Sequence, residues 1–300
     1  MVSIAKQQVV QVTLPRRSSR AQFFELLSVV LDPDMNVNCR RIHFDFSLVA
    51  DWGIGAIATM SNLIEILRKA DVKISYGGFQ TCPAGAFLEQ TGFYQRYLDN
   101  DEAFRRGATR HMLPLELVDY ERSHAYIENR LKPWLESALD WEEGQGASIE
   151  VCMKEIFNNI VDHSMVDVGC AIACADPKRR LIDICATDLG VGIPANVKKK
   201  IGDVGDGRAI EMACAQGFTT RSVPGNRGEG LHTLLRNVVD LNRGEVLLFS
   251  GRGYVIKSRL KGNETLSVGT NKIGYPGTLI SITLDPKSVA RPQVEEAFEW

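Results

Sequence analysis

Apolar and polar residues alternate from Val9 to Leu14, the period-two pattern of an edge strand. Arg41 to Phe46 alternates more strongly, with Ile42, Phe44 and Phe46 on one face. Asp51-Trp52-Gly53 then punctuates the chain. From Gly55 to Ala70 the residues Ile57, Met60, Ile64 and Leu67 recur at the spacing of one helix face. Val72 to Tyr76 predicts another strand, ended by Gly77-Gly78. Pro83 suits the start of a further helix that carries Phe87 and Leu88 and closes at Gly92. These elements describe a small α/β unit.

The second half has a different rhythm. Glu121 to Leu139 predicts a helix that Pro133 must kink or restart. Glu142 to Gly146 is a loop, and Ser148 suits the N-cap of a helix reaching about His163. Val168 to Ala175 and Leu181 to Thr187 are β-like runs joined by the turn signal Asp176-Pro177-Lys178-Arg179. Gly190 to Arg227 is rich in glycine and charge, with helical pattern only around Gly207 to Gln216. A helix from Glu229 to Leu241 precedes three strands, Glu245 to Ser250, Tyr254 to Leu260 and Thr278 to Leu284. Helices followed by mainly antiparallel strands predict an α/β sandwich and argue against a doubly wound parallel sheet.

The expected organisation is an α/β protein of two domains: residues 1–105, a linker at 106–119, a second domain at 120–290 and a tail at 291–300. Its 300 residues suffice for two domains. With 35 Lys and Arg against 37 Asp and Glu, the formal charge of −2 gives no electrostatic reason to expect a nucleic-acid or membrane-surface partner. No run of 18 apolar residues is present, and Met1 to Arg16 lacks the block of a secretion signal. The seven cysteines are scattered, without a CxxC pair, which fits packing residues in a reducing cytoplasm. Cys170 and Cys174 lie four apart in a β-like run and read as strand packing, because His163 is the only obvious further metal ligand nearby.

Three separated segments carry candidate chemistry. In Glu155-Ile156-Phe157-Asn158-Asn159-Ile160-Val161-Asp162-His163, Glu155, Asn159 and His163 recur every four residues and share a helical face. A carboxylate there can take a proton from water or a hydroxyl, and an amide oxygen can ligate a hard cation such as Mg²⁺. A solvated helix face is the plainer reading of that segment alone. Asp188-Leu189-Gly190-Val191-Gly192-Ile193-Pro194 follows a strand directly. A strand-end Asp can accept from an exocyclic amine, and glycines let backbone approach a ligand. Gly225-Asn226-Arg227-Gly228-Glu229-Gly230-Leu231 opens a helix, where backbone N–H groups and the helix dipole favour an anion. It is neither a P-loop nor a Rossmann fingerprint. Lys198-Lys199-Lys200 reads as a solvated face.

In this order the three segments resemble the N, G1 and G2 boxes of the GHKL ATPase superfamily, which includes gyrase and the histidine-kinase ATP-binding domains. Pro276-Gly277-Thr278 looks like the superfamily's terminal GT element. Phe218-Thr219-Thr220-Arg221 is similar to the lid segment of anti-sigma-factor serine kinases. The resemblance spans roughly Glu121 to Leu284 and implies a Bergerat fold, with helices on one face of a mixed, mainly antiparallel sheet. It implies that Asp188 holds the adenine amino group with Thr278 assisting, and that Gly190 and Gly192 shape that side of the pocket. It further implies that Asn159 ligates Mg²⁺ and that Gly228, Gly230 and Leu231 give N–H groups to the phosphates of ATP. Arg221 and Arg227 become cationic contacts in a mobile lid, part of a Gly-rich segment from Ala195 to Arg227 that closes over the nucleotide. Glu155 becomes the general base; His163 fits the pattern but serves equally as a structural residue.

Ile42 to Tyr97 resembles a STAS domain, the anti-sigma-factor antagonist fold, through its strand, small-residue turn, long helix, strand and Phe87-Leu88-Glu89-Gln90-Thr91-Gly92-Phe93. Where signalling members carry a phosphorylatable serine, this chain has Asp51 and Trp52, with Asp51 as a mimic of a charged state or the unit as a recognition module only. A phosphoacceptor histidine is not supported, since His124 is followed by Ala125-Tyr126. The chain is thus expected to be a cytoplasmic ATP-binding regulatory protein with Mg-dependent ATPase or protein serine/threonine kinase activity. The alternative is a non-catalytic, ATP-gated partner-binding module. A protein partner is expected at the STAS-like domain, a homodimer is left open, and neither nucleic acid nor membrane is expected.

Overall fold

The computed structural model describes residues 9–18, 20–32, 36–98, 107–141, 145–164, 168–188, 190–218 and 230–289. The N-terminal unit is a three-stranded parallel sheet of β1 (Val10–Thr13), β2 (Arg41–Asp45) and β3 (Lys73–Gly77), in that spatial order. Helix α1 (Arg20–Val30), which lies where the sequence pattern predicts no element, joins β1 to β2; α2 (Ile54–Lys69) joins β2 to β3. The strands alternate as their sequence requires. Ile42 and Phe44 are fully buried on one face, while Arg41 and Lys73 are exposed on the other. Helix α3 (Gly85–Gln90) and a π-helical turn (Tyr94–Leu98) complete the unit.

The second sheet has five strands in the order β4-β5-β6-β8-β7, and every pair is antiparallel. These are β4 (Met112–Asp119), β5 (Val168–Asp176), β6 (Leu181–Asp188), β7 (Glu245–Ser258) and β8 (Thr265–Leu284). Residues 112–119, which the pattern places in the linker, therefore form an edge strand. Pro114 is compatible with that because it sits at a register shift between Leu113 and Glu116 on the sheet edge, where a missing N–H costs little.

On one face of this sheet lie α4 (Tyr120–Tyr126), α5 (Lys132–Leu139), α6 (Ala147–Ser164), α7 (Gly192–Ile201), α8 (Asp206–Ala213) and α9 (Gly230–Leu235). Helix α4 runs through a π-helical turn (Ile127–Leu131) into α5, and Pro133 falls in the first turn of α5, directly after the π-helical turn that breaks the regular α-helical pattern there. Helix α9 likewise continues as a π-helical stretch (Arg236–Leu241). Helix α6 begins one residue before Ser148: the Gly146 carbonyl accepts from the Ile149 and Glu150 amides, and the Ser148 hydroxyl accepts from Asn242. Ser148 thus ties α6 to the segment after α9 and is not the cap.

The opposite face of the five-stranded sheet is covered by the N-terminal unit: α2 packs on β5 and β6, and α1 packs on β8. The layers are therefore sheet, helices, sheet, helices. One apolar cluster joins Phe44, Phe46, Ile57, Met60, Leu63 and Ile64 to Cys170, Ile172, Cys185 and Leu279 of the second sheet. A second cluster fills the far side, with Ala171, Ala173, Ile184, Ile280 and Ile282 under α6 and α9. Burial on both faces explains why β5 and β6 read as nearly continuous apolar runs. It also explains α2, which is apolar nearly all round because sheets flank it. Each of its fully buried Ile, Leu and Met side chains contributes about 1.5–3 kcal/mol of burial.

The three C-terminal strands of the pattern are two long ones. In β7 and β8 the register shifts between Ser250 and Gly251 and again between Gly251 and Gly253. These bulges bend the hairpin, and Asp206 at the start of α8 fills the bend by accepting the Arg252 amide at 2.7 Å and pairing with Lys198 at 2.7 Å. Helix α7 also lies outside the predicted pattern; its Gly192 and Pro194 occur in the first turn, where proline is tolerated. Lys198, Lys199 and Lys200 occupy its last turn, opposite the sign of the helix C-terminal dipole. Among the described residues no helix is long and apolar enough to cross a membrane.

Candidate functional site

The C-terminal end of β6 delivers Asp188 into a buried polar corner between β6, β8 and the start of α7. Asp188 is 6% exposed. Its Oδ1 accepts from the Gly190 amide at 2.6 Å, and the amide and hydroxyl of Thr278 also donate to the carboxylate. Burial nevertheless wins over these donors and raises its pKa from 3.8 to about 6. A carboxylate offers about four lone-pair positions, so these three donors leave room for one more. An amine reaching the corner would find a ready acceptor.

The corner is shaped by backbone without side chains. Gly277 has φ +85°, and a Cβ there would overlap the Asp188 carbonyl oxygen and stand 2.8 Å from Oδ1. Gly192 has φ +80°, and a Cβ there would stand 2.6 Å from the Ser250 hydroxyl. Ser250, fully buried at the β7 bulge, joins the pieces: it donates to the Gly277 carbonyl at 2.8 Å and accepts from the Ile193 amide at 2.8 Å. Its hydroxyl also lies 3.1 Å from that of Thr278. Pro276 and Gly277 carry no partner on β7, since Ser250 pairs with Thr278 and Gly251 with Tyr275.

Behind the corner a second polar knot includes a residue of the N-terminal unit. Asn62 of α2 is 3% exposed, and its two amide N–H groups are shared among the Asp188 carbonyl at 3.1 Å, the Tyr275 hydroxyl at 2.9 Å and the Thr187 hydroxyl. Thr187 and Tyr275 are themselves 2.7 Å apart.

The structure thus brings Asp188, Gly190, Gly192 and Thr278 into one place. Glu155 is half-buried on α6, which packs against β6, α7 and α9. Asn159 lies one turn further along α6, and His163 one turn beyond that; their side chains fall outside the described residues. Gly230 and Leu231 form the first turn of α9, with Leu231 packed against the core. Arg221, Arg227 and Gly228 lie outside the described residues. Within the segment expected to form a lid, residues 195–201 and 206–213 belong to helices that pack on the second sheet. Ser250, Asn62, Thr187 and Tyr275 are site residues that sequence pattern does not single out. Paired polar residues inside the otherwise apolar run of α2 were the available signal for Asn62.

Asp51, the polar residue of the N-terminal unit that the sequence singles out, is exposed and lies 3.9 Å from Arg17. Cys170 and Cys185 are buried between the sheets, where desolvation pushes both thiols up.

No family model and no curated protein matches the chain. Among solved structures it is similar to the 43K ATPase domain of Thermus thermophilus gyrase B in complex with an aminocoumarin. That alignment has 19% identity over 57% of this chain and 42% of that one, with a TM-score of 0.26. It is also similar to the ATPase region of Saccharomyces cerevisiae topoisomerase II, at 12% identity over 38% of this chain and 31% of that one, with a TM-score of 0.23. This chain therefore spans less than half the length of either. With identity and TM-score this low, neither likeness assigns a role to any residue of this chain.

Proposed function

We propose that the chain is an ATP-binding regulatory protein of the GHKL type, and that its C-terminal unit performs Mg-dependent phosphoryl transfer to water or to a protein serine or threonine. The observation that carries this is the corner at Asp188: a buried carboxylate with one acceptor position left, framed by two positive-φ glycines and by Thr278. The remaining acceptor position suits an exocyclic amine such as that of adenine, and glycine at 192 and 277 is what lets Ser250 and the end of β6 close in on this corner.

The other functional groups of this proposal come from α6 and α9. Helix α6 carries Glu155 and Asn159 on one face, and α9 starts beside it at Gly230. An asparagine and two or three phosphate oxygens make a typical Mg²⁺ set, since this ion keeps several waters and needs few protein ligands. Bound Mg–ATP supplies the transferable phosphoryl group. Glu155 takes the proton from the attacking hydroxyl or water, and the amides opening α9 hold negative charge. The N-terminal unit is read as a STAS-like partner-recognition module in which Asp51 stands in place of a phosphorylatable serine.

Incubating the full chain with γ-labelled ATP and Mg²⁺ tests this. Free labelled phosphate identifies an ATPase, and label on an added protein identifies a kinase. Binding of ATP without either product supports the second reading, a non-catalytic module in which nucleotide sets partner affinity. No binding at all refutes both.

A further inference from the structure

We infer that Asn62 is a positioning residue of the nucleotide site, and that through it the N-terminal unit and the nucleotide site control each other. This rests on the ATP-binding reading of the corner. Asn62 comes from α2, more than 120 residues before Asp188 in the chain. A helix packed on a sheet has no need of an amide at its contact face, and a buried amide is costly unless it is satisfied. The partners of Asn62 are the Thr187 hydroxyl and Asp188 carbonyl at the end of β6, and the hydroxyl of Tyr275 on β8. Thr59, three residues earlier on α2, also faces the Tyr275 hydroxyl.

These partners belong to the two strands that build the adenine corner. Asp188 supplies its acceptor, and Tyr275 immediately precedes Pro276-Gly277-Thr278. The regular pairing of β6 with β8 ends at Thr187–Leu279, one residue before Asp188. Beyond that point side chains tie the two strands: Thr278 donates to the Asp188 carboxylate, Thr187 pairs with Tyr275, and Asn62 joins both strands to α2 from behind. A shift of α2 would break this bridge and leave several buried polar groups unpaired, so the positions of α2 and of the corner are locked together. A partner that moves α2 thereby changes ATP affinity, and by thermodynamic reciprocity ATP changes affinity for that partner by the same factor.

The test uses the full chain and calorimetry with ATP, and separately GTP, in the presence of Mg²⁺. Asn62→Leu keeps the volume and removes the bridge; Tyr275→Phe removes one hydroxyl from the knot. Ser61→Ala is the control, because the Ser61 hydroxyl sits in the same helix–sheet contact but pairs with Tyr97 at 2.6 Å. Asn62→Leu is expected to weaken ATP binding about tenfold, the equivalent of one lost hydrogen bond, and to reduce the preference for ATP over GTP. Tyr275→Phe weakens it about threefold, and Ser61→Ala changes neither quantity. In the unsubstituted protein, saturating ATP slows hydrogen exchange at the α2 amides around Asn62.

If the unsubstituted chain binds ATP and all three variants bind alike, or weaken alike without a change in ATP-over-GTP preference, the inference is wrong and the site reading stands. If the unsubstituted chain binds no ATP, the site reading fails first and takes the inference with it. Should Asn62→Leu not fold, Tyr275→Phe against Ser61→Ala decides.

Discussion

Replacing Asp188 by Asn should make the nucleotide-free protein more stable while destroying its ATP site. Burial raises the Asp188 pKa from 3.8 to about 6. Each pKa unit corresponds to 1.36 kcal/mol, so the ionised carboxylate costs the folded state about 3 kcal/mol at pH 8. The direction with pH is set by proton uptake. Below about pH 4 the carboxyl is protonated in both states and the cost vanishes. Between about 4 and 6 the folded chain holds a proton that the unfolded chain has lost, so stability falls as pH rises. Above 6 the full penalty is present. Asparagine keeps one oxygen with two lone pairs for the three donors of Gly190 and Thr278 and adds an amide N–H₂ that needs its own acceptor, which together take back about 1–2 kcal/mol. The net gain at pH 8 is then about 1–2 kcal/mol, or on the order of 2–8 °C in Tm for a chain of this size. Thermal unfolding of both proteins from pH 4 to pH 8 measures it. A variant less stable than the parent at pH 8, or a gain that stays constant down to pH 4, would refute a buried, ionised Asp188. A stability gain combined with loss of ATP binding is the mark of a residue held in place for a ligand.

The same geometry sets three further outcomes. ATP affinity should fall as pH drops below about 6, because a protonated Asp188 loses an acceptor for the adenine amine; titration calorimetry at pH 5 and 7.5 giving equal affinities would remove Asp188 from adenine recognition. Glu155→Ala should cut turnover by at least about a hundredfold with ATP affinity retained, and turnover at the parent rate would mean that another group takes the proton. Gly277→Ala should cost more than about 2 kcal/mol and abolish ATP binding, since the methyl overlaps Asp188 and the φ of +85° suits only glycine; an alanine variant with parental denaturation midpoint would contradict the packing described.

Much of the fold was legible in the chain itself. Alternation located β1, β2 and β3, and helical spacing located α2, because one period places every apolar side chain on a buried face. That Asp188, Gly190 and Gly192 close an apolar strand was also legible, because a charge and glycines end the hydrophobic run. Other features depend on neighbours distant in sequence. Helix α7 opens with glycine and proline and has a narrow apolar stripe, so its stability comes from docking beside the β7 bend. Residues 112–119, assigned to the linker by the pattern, become a strand because β5 supplies their hydrogen bonds.

The strongest case is α2. Its residue pattern specifies a helix with an apolar face, but the reason for its polar pair Ser61-Asn62 cannot be read from any local period. Only packing between two sheets buries that side of the helix and sets Asn62 against Asp188 and Tyr275. Local pattern determines which residues leave water. Which buried polar groups meet, and hence where a site's acceptor is held, is decided by contacts more than a hundred residues apart.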